Sequence, residues 1–345
     1  MARRILWASL ALAPVTILVD RFASPGKTAL FVLAALSLIP LAWLIGESTE
    51  HAAEHTGPGI GGYLNASFGN APELIIALVA VDDGLFGVVR GSLAGSVISN
   101  LLLVFGISQV VAQNGCALDR RSLFTQIGLC AAAITILGPA VVLGWTGSSQ
   151  HTAVAVSIGV SVALLLVYGV VAGRNLRRHR QQEREDAHED AWSLPAALGV
   201  LAVATAFTAV ISEILVHSLE AFAHAIGATE FFIAAVVVAV VGNAAEHGGA
   251  VVIARTGNMK LASEIAISSS AQVALLVTPV VMLLSLAFSH RLALTFRWEE
   301  AVAMAGAVAL TAVMVQDARS KRWEGMALVA SFVGVAVWFW FAGSR

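Results

Sequence analysis

Apolar runs of roughly 18–25 residues recur along this 345-residue chain from end to end, and that recurrence restricts its possible folds more than any other feature. A bilayer's hydrocarbon core is about 30 Å thick, which about 20 helical residues cross. Inside lipid, every backbone N–H and C=O has to be bonded within the protein, so a chain made of such runs folds as a bundle of helices. The composition agrees. Only 12% of residues are charged and the mean hydropathy is +0.83, against about 25% charged in an ordinary soluble domain. A formal net charge of −2 says nothing about partners, and no basic patch or stacking platform points to nucleic acid. Cys116 and Cys130 lack metal-type spacing and are expected to be free thiols.

Dividing the runs at their polar breaks predicts eleven spans. They lie near 5–20, 28–46, 60–81, 86–111, 122–144 and 151–172, then near 194–216, 229–253, 261–287, 298–315 and 323–342. The start, two arginines before an apolar stretch, reads as a first span or as a signal peptide. The one long charged run, Arg174–Asp190, reads as a solvated linker. The expected architecture is thus an all-α polytopic membrane protein. A first helix and loop (1–27) precede a five-span unit (28–173), a charged linker (174–193) and a second five-span unit (194–345). Lys and Arg crowd one side of this topology, among them Arg120, Arg121, Arg174, Arg177, Lys260 and Lys321, which predicts a cytoplasmic N-terminus.

The chain also matches itself. Gly69-Asn70-Ala71-Pro72-Glu73 lies over Gly242-Asn243-Ala244-Ala245-Glu246, 173 positions on. Without a gap, Glu47 then meets Glu220, Gly84 meets Gly257, Ser96 meets Ser269 and Ser99 meets Gln272. Five spans, an odd number, separate the halves, so the third span runs opposite to the eighth. Inverted repeats of this kind build transporters whose site lies near the bilayer midplane on discontinuous helices.

Glu73 and Glu246 sit well inside apolar spans, where a charge costs at least about 2.5–3.5 kcal/mol on insertion scales. Brought together by symmetry, two bare carboxylates repel until a cation or proton arrives. Asn70 and Asn243 lie three residues earlier, on the same helical faces. Ser96, Ser99 and Asn100 cluster on the fourth span, Ser269 and Gln272 on the ninth. An all-oxygen donor set without thiolates suits a hard cation such as Ca²⁺, which takes six to eight oxygens. The competing reading makes these polar groups packing glue between helices. Gly87, Gly91, Gly95 and Ser99, and likewise Ala262, Ala266, Ser270 and Ala274, recur every fourth position and are assigned to close helix packing.

At this point a family is recognisable. GESTEHAAEHTGPGIGGYLNASFGNAPELI with GSLAGSVISNLLLVFG, and TEFFIAAVVVAVVGNAAEH with ISSSAQVAL, resemble the two signature repeats of the Ca²⁺/H⁺ exchanger family, within the wider cation/Ca²⁺ exchanger superfamily. The resemblance implies a secondary antiporter of a bacterial-type cell membrane, with Ca²⁺ and H⁺ as transported ions and no cofactor. It puts the core carboxylates on Glu73 and Glu246 and auxiliary ligands on Asn70, Asn243, Ser269 and Gln272. Pro72 stands where the family usually has Thr or Val, and the linker is less acidic than usual. His247, beside Glu246 where the first half has Leu74, reads either as a proton-tuning group or as a packing histidine. Glu47, Glu220 and Glu230 are expected near the membrane faces, drawing cations into two half-channels. Three rivals remain: a sodium- or manganese-using exchanger, a passive channel, and a zinc hydrolase built on the HxxEH pattern of His51, Glu54 and His55. The sequence leaves the oligomeric state open.

Overall fold

The computed structural model describes residues 2–23, 25–179 and 192–342, so most of the charged linker (180–190) lies outside the described residues. The first half comprises α1 (Ala2–Ser9), α2 (Leu12–Leu18), α3 (Lys27–Phe68), α4 (Ala71–Asp82), α5 (Phe86–Ile98), α6 (Phe105–Val111), α7 (Arg120–Trp145) and α8 (Gln150–His179). The second comprises α9 (Leu194–Ile226), α10 (Glu230–Phe232), α11 (Ala239–Gly242), α12 (Ala244–Arg255), α13 (Met259–Gln272), α14 (Thr278–Ser285), α15 (Trp298–Met314) and α16 (Arg322–Ala342). Four π-helical segments interrupt them, at Val19–Ala23, Ser99–Val104, Ile233–Val238 and Val273–Val277.

All eleven expected spans fall on helices. Among the described residues, eight helices are long and apolar enough to cross a bilayer, and the pair Glu230–Gly242 and Ala244–Arg255, bent by 59°, makes a ninth. The other two are shorter pieces. α15 has 17 residues, and the third span is shared between the end of α3 and the 12-residue α4. One boundary differs from expectation: the connector foreseen over 47–59 is helical, because α3 runs through it to Phe68. Glu50, Ala52, Ala53 and Glu54 favour a helix in the connector, and helical bonding continues through the Gly-Pro-Gly at 57–59.

The surface is apolar and the interior is partly polar, as lipid demands. Phe22, Ile5, Leu166 and Phe341 are 62–83% exposed, whereas Ser96, Ser99, Asn100, Asn70 and Asn243 are at most 1% exposed. The stretches Phe86–Val111 and Met259–Ser285 are the most enclosed, with 78% and 67% of their apolar windows buried, against 22–33% for Arg120–Trp145, Gln150–Arg174 and Arg322–Ala342. These two central helices carry the Ser, Asn and Gln cluster. Long α3 and α9 pack against each other on the opposite flank.

The 173-residue offset holds element by element. It carries the ends of α4 onto those of α12, and the start of α5 onto that of α13. The π segment Ser99–Val104 falls over Val273–Val277 in the same way. Two faces follow from the connections. On one, His55 bonds the Trp192 carbonyl at 2.6 Å, and the loops at Gly115–Leu118 and Ala318–Ser320 bond each other; this is called the linker face. On the far face, His217 meets Asp83 at 3.2 Å, His290 meets the Asp82 carbonyl at 3.0 Å, and Trp145 bonds the Phe296 carbonyl at 3.1 Å.

Candidate cation site

Both signature peptides break their helices at the asparagine. Asn70 has φ −95° and ψ 15°, and Asn243 has φ −90° and ψ 8°, the sparsely populated bridge region outside the helical well. Neither side chain caps the helix it precedes. Each reaches across to the other repeat instead. The Asn70 Nδ2 donates to Gln272 Oε1 at 2.9 Å, and the Asn243 Nδ2 donates to Ser96 Oγ at 2.9 Å and to the Ala239 carbonyl at 2.9 Å. Pro72 occupies the first turn of α4, where its missing N–H costs nothing. Ala245 stands at the matching place in α12 and the backbone angles are nearly the same, so Pro72 is not what makes the break.

Glu73 and Glu246 lie in the first turns of α4 and α12. Glu73 is 7% exposed and packs on the opposite repeat's break: a Cβ built on Gly242 would stand 3.5 Å from its Cγ and 3.8 Å from its Oε1. Its charge and that of Glu246 act on each other. Glu73 Oε2, Glu246 Oε2 and Asn243 Oδ1 are all buried with no hydrogen-bond partner. Leaving one buried acceptor unpaired costs about 1–3 kcal/mol, more if charged. Three of them at two symmetry-related breaks form an arrangement that a proton or a cation would satisfy.

The central helices complete the surroundings. The Asn100 Nδ2 donates to Ser269 Oγ at 3.0 Å. The His247 Nε2 meets Asn100 Oδ1 at 2.9 Å. An amide oxygen only accepts, so that ring nitrogen carries a hydrogen. His247 is therefore tied to a side chain of the cluster and not to a backbone carbonyl. Ser99 turns away, donating to the Ser96 carbonyl at 3.2 Å. The structure thus brings Asn70, Glu73, Ser96, Asn100, Asn243, Glu246, His247, Ser269 and Gln272 together. It keeps Glu47, Glu220 and Glu230 apart from them. Glu47 stands at the linker face, 3.8 Å from His51, while Glu220 and Glu230 line a far-face cavity. Two features escaped the sequence reading. The π segments Ser99–Val104, which contains Asn100, and Val273–Val277, directly after Gln272, have no motif of their own, and Arg90 and Arg297 share the cavity of Glu220 and Glu230.

The HxxEH pattern does not assemble a zinc site. His51 stacks on Trp192 with ring centroids 4.5 Å apart, and His55 bonds the same residue's carbonyl. Among the described residues no group of three His, Cys, Asp or Glu side chains is placed to hold a metal.

The family model for the sodium/calcium exchanger protein matches residues 26–176 and 196–341, nearly the whole chain. The chain belongs to the sodium/calcium exchanger protein family. This exchanger-family chain is similar to the Ca²⁺/H⁺ antiporter ChaA of Bacillus subtilis, at 38% identity over 323 residues, covering 90% of this chain and 91% of that one. It is also similar to a Ca²⁺/H⁺ antiporter of Aphanothece halophytica, at 33% over 340 residues, with 91% of each chain covered. Among solved structures, native YfkE superposes with a TM-score of 0.85 at 34% identity, covering 97% of this chain and 99% of that one.

Proposed function

We propose that this chain is a Ca²⁺/H⁺ antiporter in which Glu73 and Glu246 hold Ca²⁺ or protons in turn. The observation that carries the reading is that Glu73 Oε2, Glu246 Oε2 and Asn243 Oδ1 are buried and unpartnered at two inverted helix breaks, with Glu73 packed on the opposite break at Gly242. These donors are hard oxygens, the kind Ca²⁺ prefers. Asn70, Asn100, Ser96, Ser269 and Gln272 orient them or add further oxygens. Ser99 lies behind this set, and His247 acts through Asn100. The family and the two antiporter relatives support Ca²⁺/H⁺ exchange as the activity. With the linker face in the cytoplasm, the positive-inside bias is met and the protein resides in the cell membrane.

The test is ⁴⁵Ca²⁺ uptake into everted membrane vesicles bearing an imposed proton gradient, with and without sodium and an uncoupler. Uptake should follow the proton gradient, collapse with the uncoupler and ignore sodium. Sodium-driven uptake would turn the reading to a sodium-coupled exchanger, and flux indifferent to both gradients would indicate a channel.

A further inference from the structure

At the far face a cavity of about 420 Å³ opens between α5, α9, α10 and α15. Its charges lie at two depths. Glu220 is exposed and Glu230 partly so, and these carboxylates share the mouth with the exposed His224 and the partly exposed Arg297. Deeper, Arg90 has a buried Nε with no hydrogen-bond partner, and Glu300 is 0% exposed with its Oε1 equally unpartnered. The two act on each other electrostatically. The other Glu300 oxygen accepts the Arg297 backbone N–H in the capping box that starts α15.

Directly beneath Arg90 the cavity is sealed by backbone on backbone. A Cβ on Gly91 would stand 3.1 Å from the Phe231 carbonyl oxygen, and one on Gly95 would stand 2.0 Å from that of Ala235. Ser96 follows six residues after Arg90, about 9 Å along the helix axis. An ion that enters the site by way of this cavity passes the contact beside the guanidinium. The 173-residue offset puts Ser263 in the second repeat where Arg90 stands in the first.

We propose that Arg90 is a specificity-determining residue of the exchange reaction, a fixed positive charge over the seal that lowers the affinity for divalent cations arriving from the far face. Glu300 moderates it by partial neutralisation. A fixed charge repels a divalent ion twice as strongly as a monovalent one at the same distance, and low-dielectric walls magnify the difference. The carboxylates at the mouth gather cations of any kind, and the basic floor discriminates among them. The exchanger is therefore asymmetric, taking Ca²⁺ more tightly from the linker face.

The inference rests on the Ca²⁺/H⁺ reading above, and the experiment separates the two. The full chain is reconstituted in vesicles of known orientation, and the apparent KM for ⁴⁵Ca²⁺ is measured with Ca²⁺ presented at each face in turn. Arg90→Gln should lower the far-face KM by roughly fivefold or more and leave the linker-face KM unchanged. Arg90→Lys keeps the charge and should stay within about twofold of wild type, while Glu300→Gln should raise the far-face KM. An unaltered far-face KM in Arg90→Gln, or an equal change at both faces, overturns the proposal. Should Arg90→Gln not fold, Glu300→Gln decides, and an unchanged far-face KM there overturns it equally. Wild-type protein without Ca²⁺/H⁺ exchange defeats the proposed function itself.

Discussion

A buried carboxylate oxygen with nothing to bond carries a desolvation cost that a visiting proton or cation relieves. Glu73 Oε2 and Glu246 Oε2 are two such atoms. Replacing either residue by Gln keeps the shape and removes the charge that a cation needs. Exchange by Glu73→Gln or Glu246→Gln should fall to background while the purified protein keeps its wild-type elution profile and thermal midpoint. Wild-type-like transport by a folded variant would refute the proposed roles. Glu220 and Glu230 belong to a different class. They sit at a rim, so their influence is a long-range field that salt screens within about 8 Å at physiological ionic strength. Changing both to Gln should slow Ca²⁺ entry from the far face by roughly two- to fivefold at low salt and hardly at all in high salt. Initial rates measured across a salt series would show this, and a deficit that ignores salt would exclude steering.

Between elements, the small-residue stripe on α5 is not uniform. Gly91 and Gly95 let α5 touch the Phe231–Ala235 backbone, whereas a Cβ on Gly87 would meet nothing within 4 Å. Gly95→Ala puts a methyl where the Ala235 carbonyl stands, and overpacking of this kind costs about 1–3 kcal/mol. Gly87→Ala should stay within about 0.5 kcal/mol of wild type. Thermal unfolding in detergent distinguishes the two, and equal midpoints for both variants would contradict the packing described. The same stripe, read from spacing alone, made Gly87 and Gly95 equivalent. Spacing reports which residues share a face, and only the neighbouring backbone tells which of them needs to be glycine. The π segments at Ser99–Val104 and Val273–Val277 likewise have no sequence signature, and single π turns of this kind are found mostly at functional sites.

For the molecule as a whole, the proposed site makes charge the basis of the coupling. A site with two carboxylates is near neutral with one Ca²⁺ or with two protons, and strongly negative when empty. Carrying the empty form across a low-dielectric barrier is far costlier than carrying either loaded form, so the two repeats interchange access readily only when loaded. If Glu73 and Glu246 carry the full cycle, exchange is electroneutral, with 2H⁺ per Ca²⁺. Protons and Ca²⁺ then compete for the same oxygens, so the apparent Ca²⁺ affinity should fall as pH is lowered. Exchange in liposomes with voltage clamped by potassium and valinomycin checks both points. A rate or end-point that depends on voltage would require a further mobile charge, with His247 the first residue to substitute.

The sequence by itself determined the helical bundle, because only helices satisfy the backbone along recurrent apolar runs in lipid, and it determined the inverted repeat, because identical register survives in the one-dimensional pattern. It also singled out Glu73 and Glu246, since a charge inside an apolar span is conspicuous without coordinates. Tertiary structure decided the rest, because the rest concerns pairs distant along the chain. Asn70 meets Gln272, Asn243 meets Ser96, and His247 meets Asn100, partners 147 to 202 residues apart. Ser99 turned away although its spacing matched theirs. Arg90 and Glu300 share the floor of one cavity across the two repeats, a juxtaposition that no local pattern encodes.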